Sequence, residues 1–268
     1  MLNAYNGTVC FDGAVMDYVR FGSGPKSLVV LPGLGDGLRT VKGTAIPMAL
    51  MYRSLGSAYT VYMFSRRRDL PSGFTIADMA DDQAKAMQAL GIERADAVGV
   101  SMGGMILQQW AIRHPQQLDR IVLAVTAAQP NELMIRRVGE WVNMARADDY
   151  TALMRSNVRH IYSEAYNRRN QWLTPLVSLL TRPRSYDRFL TQASACIRHD
   201  AHEQLGGIAS PALVVGGEQD DVLGGEASRE LAALIPQAKL HMYAQWGHGL
   251  YEEAPDFWSV VLGFLQDA

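Results

Sequence analysis

Short apolar runs that stop on glycine recur along this chain, and they constrain its architecture more than any other feature. Ser27-Leu-Val-Val-Leu31 closes on Pro32-Gly33-Leu34-Gly35-Asp36-Gly37. Similar runs lie at Thr60 to Phe64, Ala95 to Val100, Arg120 to Val125, Ala212 to Val215 and Lys239 to Tyr243. A run this short and this apolar reads as a strand covered on both faces, as parallel strands are. Between the runs lie segments of helical period: Ile76 to Leu90, Met102 to His114 ahead of Pro115, and Glu226 to Ile235 ahead of Pro236. Alternation of this kind predicts an α/β fold with a mostly parallel sheet and helices on both faces. Near the start, Asp12-Gly13 sits between Thr8 to Phe11 and Ala14 to Phe21, a turn dipeptide between two strand-like segments. That hairpin adds an antiparallel edge and brings the sheet to about eight strands.

The rhythm stops between about Ala128 and Leu205, where Leu133, Trp141, Leu153, Ile161, Trp172 and Leu179 fall in helix-like stretches. The expected organisation is an α/β core of residues 1–127 and 206–268, interrupted by a helical lid at 128–205. The 268 residues suit one large domain with an insertion. A formal net charge of −2 leaves no basic excess to neutralise phosphates, which sets nucleic acid aside as a partner. No apolar run approaches the roughly 20 residues of a membrane helix, and the first residues lack a basic and apolar leader pattern. Cys10 and Cys196 do not amount to a disulfide framework. These features predict reduced thiols, no membrane partner and a cytoplasmic location, and they leave the oligomeric state open.

Chemistry concentrates in three places. Gly99-Val-Ser-Met-Gly103 joins the Ala95 to Val100 strand to the helix that follows, and that context gives an otherwise common pattern its meaning. A sharp strand-to-helix turn strains the backbone at Ser101, and the flanking glycines leave room for it. A serine hydroxyl becomes a nucleophile only when a base takes its proton, and an imidazole serves best when a carboxylate fixes its tautomer. Asp220 and His248 supply both on later loops, 28 positions apart, the length of one helix and one strand. Asp221 is an alternative acid, because a one-residue shift of the loop exchanges the two.

These segments resemble the α/β-hydrolase superfamily, in its lid-bearing esterase, lactonase and carbon–carbon hydrolase branch. The resemblance is carried by Leu31 to Gly35, Gly99 to Gly104, Ser210 to Asp220 and Gly247 to Pro255, and spans nearly the whole chain. It implies that Ser101 is the nucleophile, His248 the base and Asp220 the acid, with the backbone N–H groups of Leu34 and Met102 as the oxyanion hole. It also implies a serine hydrolase acting on a carboxylic ester, thioester or lactone of a small to medium, partly apolar substrate. Carbon–carbon bond hydrolysis and small-molecule perception without turnover are the alternatives. Where that family commonly has His-Gly, this chain has Pro32-Gly33, which removes the hydrogen bonds such a histidine gives the oxyanion loop.

Other residues carry less. Arg66, in Arg66-Arg67-Arg68-Asp69, is placed where an arginine could grip a substrate carboxylate, although such a run also suits a solvated loop. Met105, with Met48, Met51 and Met102, could line an acyl pocket, and Trp246 could wall it; core packing accounts for them as well. The remaining histidines do not lie at metal-ligand spacing with other ligands. The sequence therefore calls for no metal and no cofactor.

Overall fold

In the computed structural model, which describes residues 3–267, eight strands form one sheet. They are β1 (Tyr5–Phe11), β2 (Ala14–Phe21), β3 (Lys26–Leu31), β4 (Tyr59–Arg67), β5 (Ala95–Val100), β6 (Leu118–Ala124), β7 (Ala212–Gly217) and β8 (Lys239–Tyr243). Their spatial order is β1-β2-β4-β3-β5-β6-β7-β8. The first two pairings, β1 with β2 and β2 with β4, are antiparallel; all the others are parallel. The hairpin turns at Asp12 (φ 46°) and Gly13 (φ 74°), both left-handed, the geometry that matches strand twist in a two-residue loop.

The helices are α1 (Ala45–Met51), α2 (Ile76–Ala89), α3 (Met102–Arg113), α4 (Glu132–Arg146), α5 (Tyr150–Ile161), α6 (Glu164–Asn170), α7 (Thr174–Thr181), α8 (Asp187–Ile197), α9 (Gly225–Leu234), α10 (Leu250–Glu253) and α11 (Phe257–Gln266). Strand side chains alternate between two apolar clusters because successive residues point to opposite faces. Val29, Leu31, Ala97, Ile121, Leu123 and Val214 join the larger cluster, with residues of α2, α3, α4, α8 and α9. Leu28, Val30, Val98, Val122 and Val215 join the other, with residues of α1, α10 and α11. Helices thus cover both faces. Helices α4 to α8 all fall between β6 and β7, which are themselves adjacent in the sheet.

One buried titratable group in this region makes stability depend on pH. His199, just past α8, is buried, with Nε2 3.2 Å from Gln108 Oε1 on α3. Burial pushes its pKa down from 6.5 to about 4, with Asp200 acting weakly the other way. Below pH ~6.5 the unfolded chain takes up a proton that the folded chain refuses, so stability falls as pH drops toward 4 and levels off below it. The full loss is about 3 kcal/mol. Urea unfolding at pH 7 and pH 4.5 should show this loss in the wild type and a smaller one in His199→Gln; equal pH dependence in both proteins would refute it.

Candidate active site

The turn after β5 is built by close backbone approach. Ser101 has φ 53° and ψ −120°, a left-handed conformation that costs a serine of order 1–3 kcal/mol. Its N–H donates to the Ala124 carbonyl of β6 at 2.9 Å, and its carbonyl accepts from Gly104 N–H at 2.8 Å. A Cβ on Gly99 would lie 2.5 Å from the Gly103 carbonyl oxygen, and a Cβ on Gly103 would lie 2.0 Å from that of Leu31. Both positions admit only glycine. The turn sets Ser101 at the N-terminus of α3, where the helix dipole favours negative charge.

The candidate acid and the candidate base arrive on the loops after β7 and β8. His248 Nε2 is 3.0 Å from Ser101 Oγ, and His248 Nδ1 is 2.8 Å from Asp220 Oδ2. Both Asp220 and His248 are buried. The other oxygen of Asp220, Oδ1, accepts from the N–H groups of Val222 (2.8 Å) and Leu223 (2.9 Å), which leaves Oδ2 aimed at the imidazole. Asp221 turns the opposite way. Its side chain is half exposed, pairing with Arg137 of α4 at 2.9 Å and His160 of α5 at 2.5 Å. Burial opposes ionisation of Asp221, but His160 and Arg137 outweigh it and hold the carboxyl below its usual range. Of the two candidate acids, Asp220 is the one that meets His248.

The loop that carries His248 is also tied to the α4–α8 segment. Gly249 N–H donates to the Ile161 carbonyl at 2.7 Å, and Ser163 donates through N–H and Oγ to Glu253 at 2.8 and 2.6 Å. Through Asp221 and Gly249, both loops that carry candidate residues touch this segment.

After β3 the chain passes against the serine: a Cβ on Gly33 would lie 3.4 Å from Ser101 Cβ. Leu34 then opens a 3-10 turn, Leu34–Gly37. Among the described residues, the amides of Leu34 and Met102 donate to no backbone carbonyl.

Arg66 does not reach a substrate pocket. It is 2 % exposed, lies at the end of β4, and donates through Nη2 to the Pro32 carbonyl. Nor is the arginine run a solvated loop. Arg67 pairs with Asp82 at 2.8 Å, Arg68 pairs with Asp17 at 2.6 Å, and Arg66 lies 4.0 Å from Asp36. Three acidic residues distant in sequence neutralise the run, which lets β4 continue past Phe64. The methionines form no single group. Met102 and Met105 are buried in the larger core cluster, Met48 packs against the other, and Met51 is exposed. Trp246 is half-buried and packs on that second cluster. Sequence reasoning missed Asp36 and Arg188, which meet across 152 positions and leave no local signature.

A family model described as alpha/beta hydrolase fold matches residues 26–255. A Caulobacter sp. (strain K31) protein that bears the name "Putative carbamate hydrolase RutD" is 28% identical over 255 residues, covering 90% of each chain. The 2-hydroxymuconate semialdehyde hydrolase of Pseudomonas sp. (strain CF600) is 31% identical over 199 residues, covering 70% of this chain and 68% of that one. Among solved structures, the enol-lactonase from Burkholderia xenovorans LB400 superposes with TM-score 0.82 at 23% identity, covering 97% of this chain and all of that one. The chain belongs to the α/β-hydrolase fold family and is a hydrolase of that fold. Among the described residues no helix is long and apolar enough to cross a membrane.

Proposed function

We propose that this chain is a serine hydrolase that cleaves a carboxylic ester, thioester or lactone by way of an acyl-enzyme. The observation that carries the reading is the hydrogen-bonded line from Ser101 Oγ through His248 to Asp220. In this reading Ser101 Oγ attacks the carbonyl carbon while His248 Nε2 takes its proton, and Asp220 stabilises the imidazolium. The N–H groups of Leu34 and Met102 receive the oxyanion, and His248 returns the proton to the leaving group. Water then repeats the sequence on the acyl-enzyme. No step requires a metal or a cofactor.

Residues 128–205 serve as the lid over this centre and set the substrate, a small to medium, partly apolar molecule. The contacts of Ile161, Arg137 and His160 with the two triad loops support that role. The free thiols of Cys10 and Cys196 fit work in the cytoplasm. A second reading, hydrolysis of a carbon–carbon bond, is favoured by the 31% identity to the 2-hydroxymuconate semialdehyde hydrolase.

The test compares wild type with Ser101→Ala. Wild-type protein should hydrolyse p-nitrophenyl butyrate and take one fluorophosphonate label, and Ser101→Ala should do neither. Labelling with turnover of 2-hydroxymuconate semialdehyde alone would select the second reading. A wild type that is neither labelled nor active would sink both and leave ligand perception.

A further inference from the structure

Pro32 poses a specific structural problem. A proline has no N–H, and this one sits two residues before Leu34, the amide that must be held in place if an oxyanion is to bind there. In this fold the loop is pinned from outside by two arginines that share one aspartate.

From one side comes Arg66, at the end of β4. Its Nη2 donates to the Pro32 carbonyl, and its backbone N–H donates to Asp36 Oδ2 at 3.1 Å. From the other side comes Arg188, in the first turn of α8. It donates to the Asp36 carbonyl at 2.8 Å, to Asp36 Oδ2 at 3.0 Å, and to the Arg66 and Arg67 carbonyls at 3.2 and 3.3 Å. Leu34 lies midway between the two tethered points, Pro32 and Asp36. Helix α8 also presses directly on the loop, since a Cβ on Gly37 would lie 2.7 Å from Phe189 Cα.

The chemistry suits positioning. A guanidinium is a planar fork that can serve several acceptors at once, which a lysine ammonium at the end of a flexible stem cannot reproduce. Asp36 and Arg66 are both buried, where hydrogen bonds to charged groups are strong and a lost partner is costly. Arg188 belongs to α8, in the segment between β6 and β7, so the arrangement ties that segment to the loop bearing Leu34.

We propose that Arg66 and Arg188, joined through Asp36, are positioning residues for the oxyanion loop, and that α8 is thereby part of the reaction machinery. This rests on the serine-hydrolase reading above. Neither arginine touches the substrate; each acts through the placement of the Leu34 N–H. Because an oxyanion donor matters in the transition state far more than in the ground state, its displacement should lower kcat and leave KM nearly unmoved.

The variants are Arg188→Lys, which keeps the charge on a half-buried side chain, and Arg66→Lys as the second. Hydrolysis of p-nitrophenyl butyrate is measured with active sites counted by fluorophosphonate titration. Inhibition by a trifluoromethyl ketone, which forms a tetrahedral oxyanion adduct on serine, is measured beside inhibition by butyrate. Arg188→Lys should lose about 10- to 100-fold in kcat per active site. The ketone should weaken by a similar factor, with KM and butyrate inhibition within two-fold. A purely structural role would lower Tm and the titratable fraction but leave kcat per site and the ketone constant unchanged, and that result would overturn the proposal. If Arg66→Lys does not fold, the Arg188→Lys result decides alone. A wild type that neither turns over nor titrates would remove the underlying reading and this one with it, whereas an active wild type with an indistinguishable Arg188→Lys would overturn only this one.

Discussion

Asp220→Asn is expected to lower kcat by about 10⁴-fold, while Asp221→Asn keeps it within a few-fold. The reason lies in how Asp220 is held. Its Oδ1 accepts from the Val222 and Leu223 N–H groups, so an asparagine would keep its carbonyl oxygen there and turn its NH₂ toward His248 Nδ1. The imidazole would then have to accept at Nδ1, which puts its proton on Nε2 and leaves it unable to take one from Ser101. Asp221 meets only Arg137 and His160, in a half-exposed arrangement whose loss costs up to about 1 kcal/mol. Steady-state kinetics of the two variants, with urea unfolding to confirm the fold, checks this. A larger kinetic loss in Asp221→Asn would transfer the acid role to that residue.

Gly103→Ala should disable the protein more broadly. The added Cβ would meet the Leu31 carbonyl oxygen at 2.0 Å, the Leu31 carbonyl carbon at 2.6 Å and the Pro32 oxygen at 2.9 Å, all backbone atoms. No side chain can swing aside, so either the Ser101 turn or the chain at Leu31 and Pro32 must move. Overpacking of this kind costs roughly 1–3 kcal/mol or more. A shift near 1 Å between serine and donor adds a loss of about 10²-fold in kcat. Gly139→Ala in α4 is the contrast, because a Cβ there meets nothing within 4 Å and gains up to about 1 kcal/mol of helix propensity. Thermal unfolding of the two variants should move in opposite directions; equal stability would show that the turn yields more easily than its geometry implies.

Much of the scaffold was legible because burial on both faces leaves a local mark. Strands β5 and β8 match the expected Ala95 to Val100 and Lys239 to Tyr243 to the residue, and Asp12-Gly13 makes the expected hairpin. What escaped depends on partners far along the chain. Strand β4 runs on through Arg67 where the apolar run stops at Phe64, because Asp36 and Asp82 receive its two arginines. The choice between Asp220 and Asp221 was likewise beyond sequence, since adjacent residues differ in direction and direction is set by the loop's own amides. Helices α1 and α11 passed unread, α1 being seven residues long and α11 nearly all apolar, which blurs its period.

The placement of α4 to α8 between two neighbouring strands also bears on how this protein is born. Ile121 of β6 pairs with Ala212 of β7, so the sheet cannot close there until the whole intervening segment has been made. At ribosomal speed that takes roughly 5 to 20 s. Throughout that interval β6, whose Ile121, Val122, Leu123 and Ala124 all end up fully buried, offers an unpaired edge to whatever is nearby. Early compaction of the intervening helices would shorten the wait for β7 little but shield that edge. The same helices that contact the loops of Asp221 and Gly249 in the finished protein would thus cover its open strand edge before it is finished.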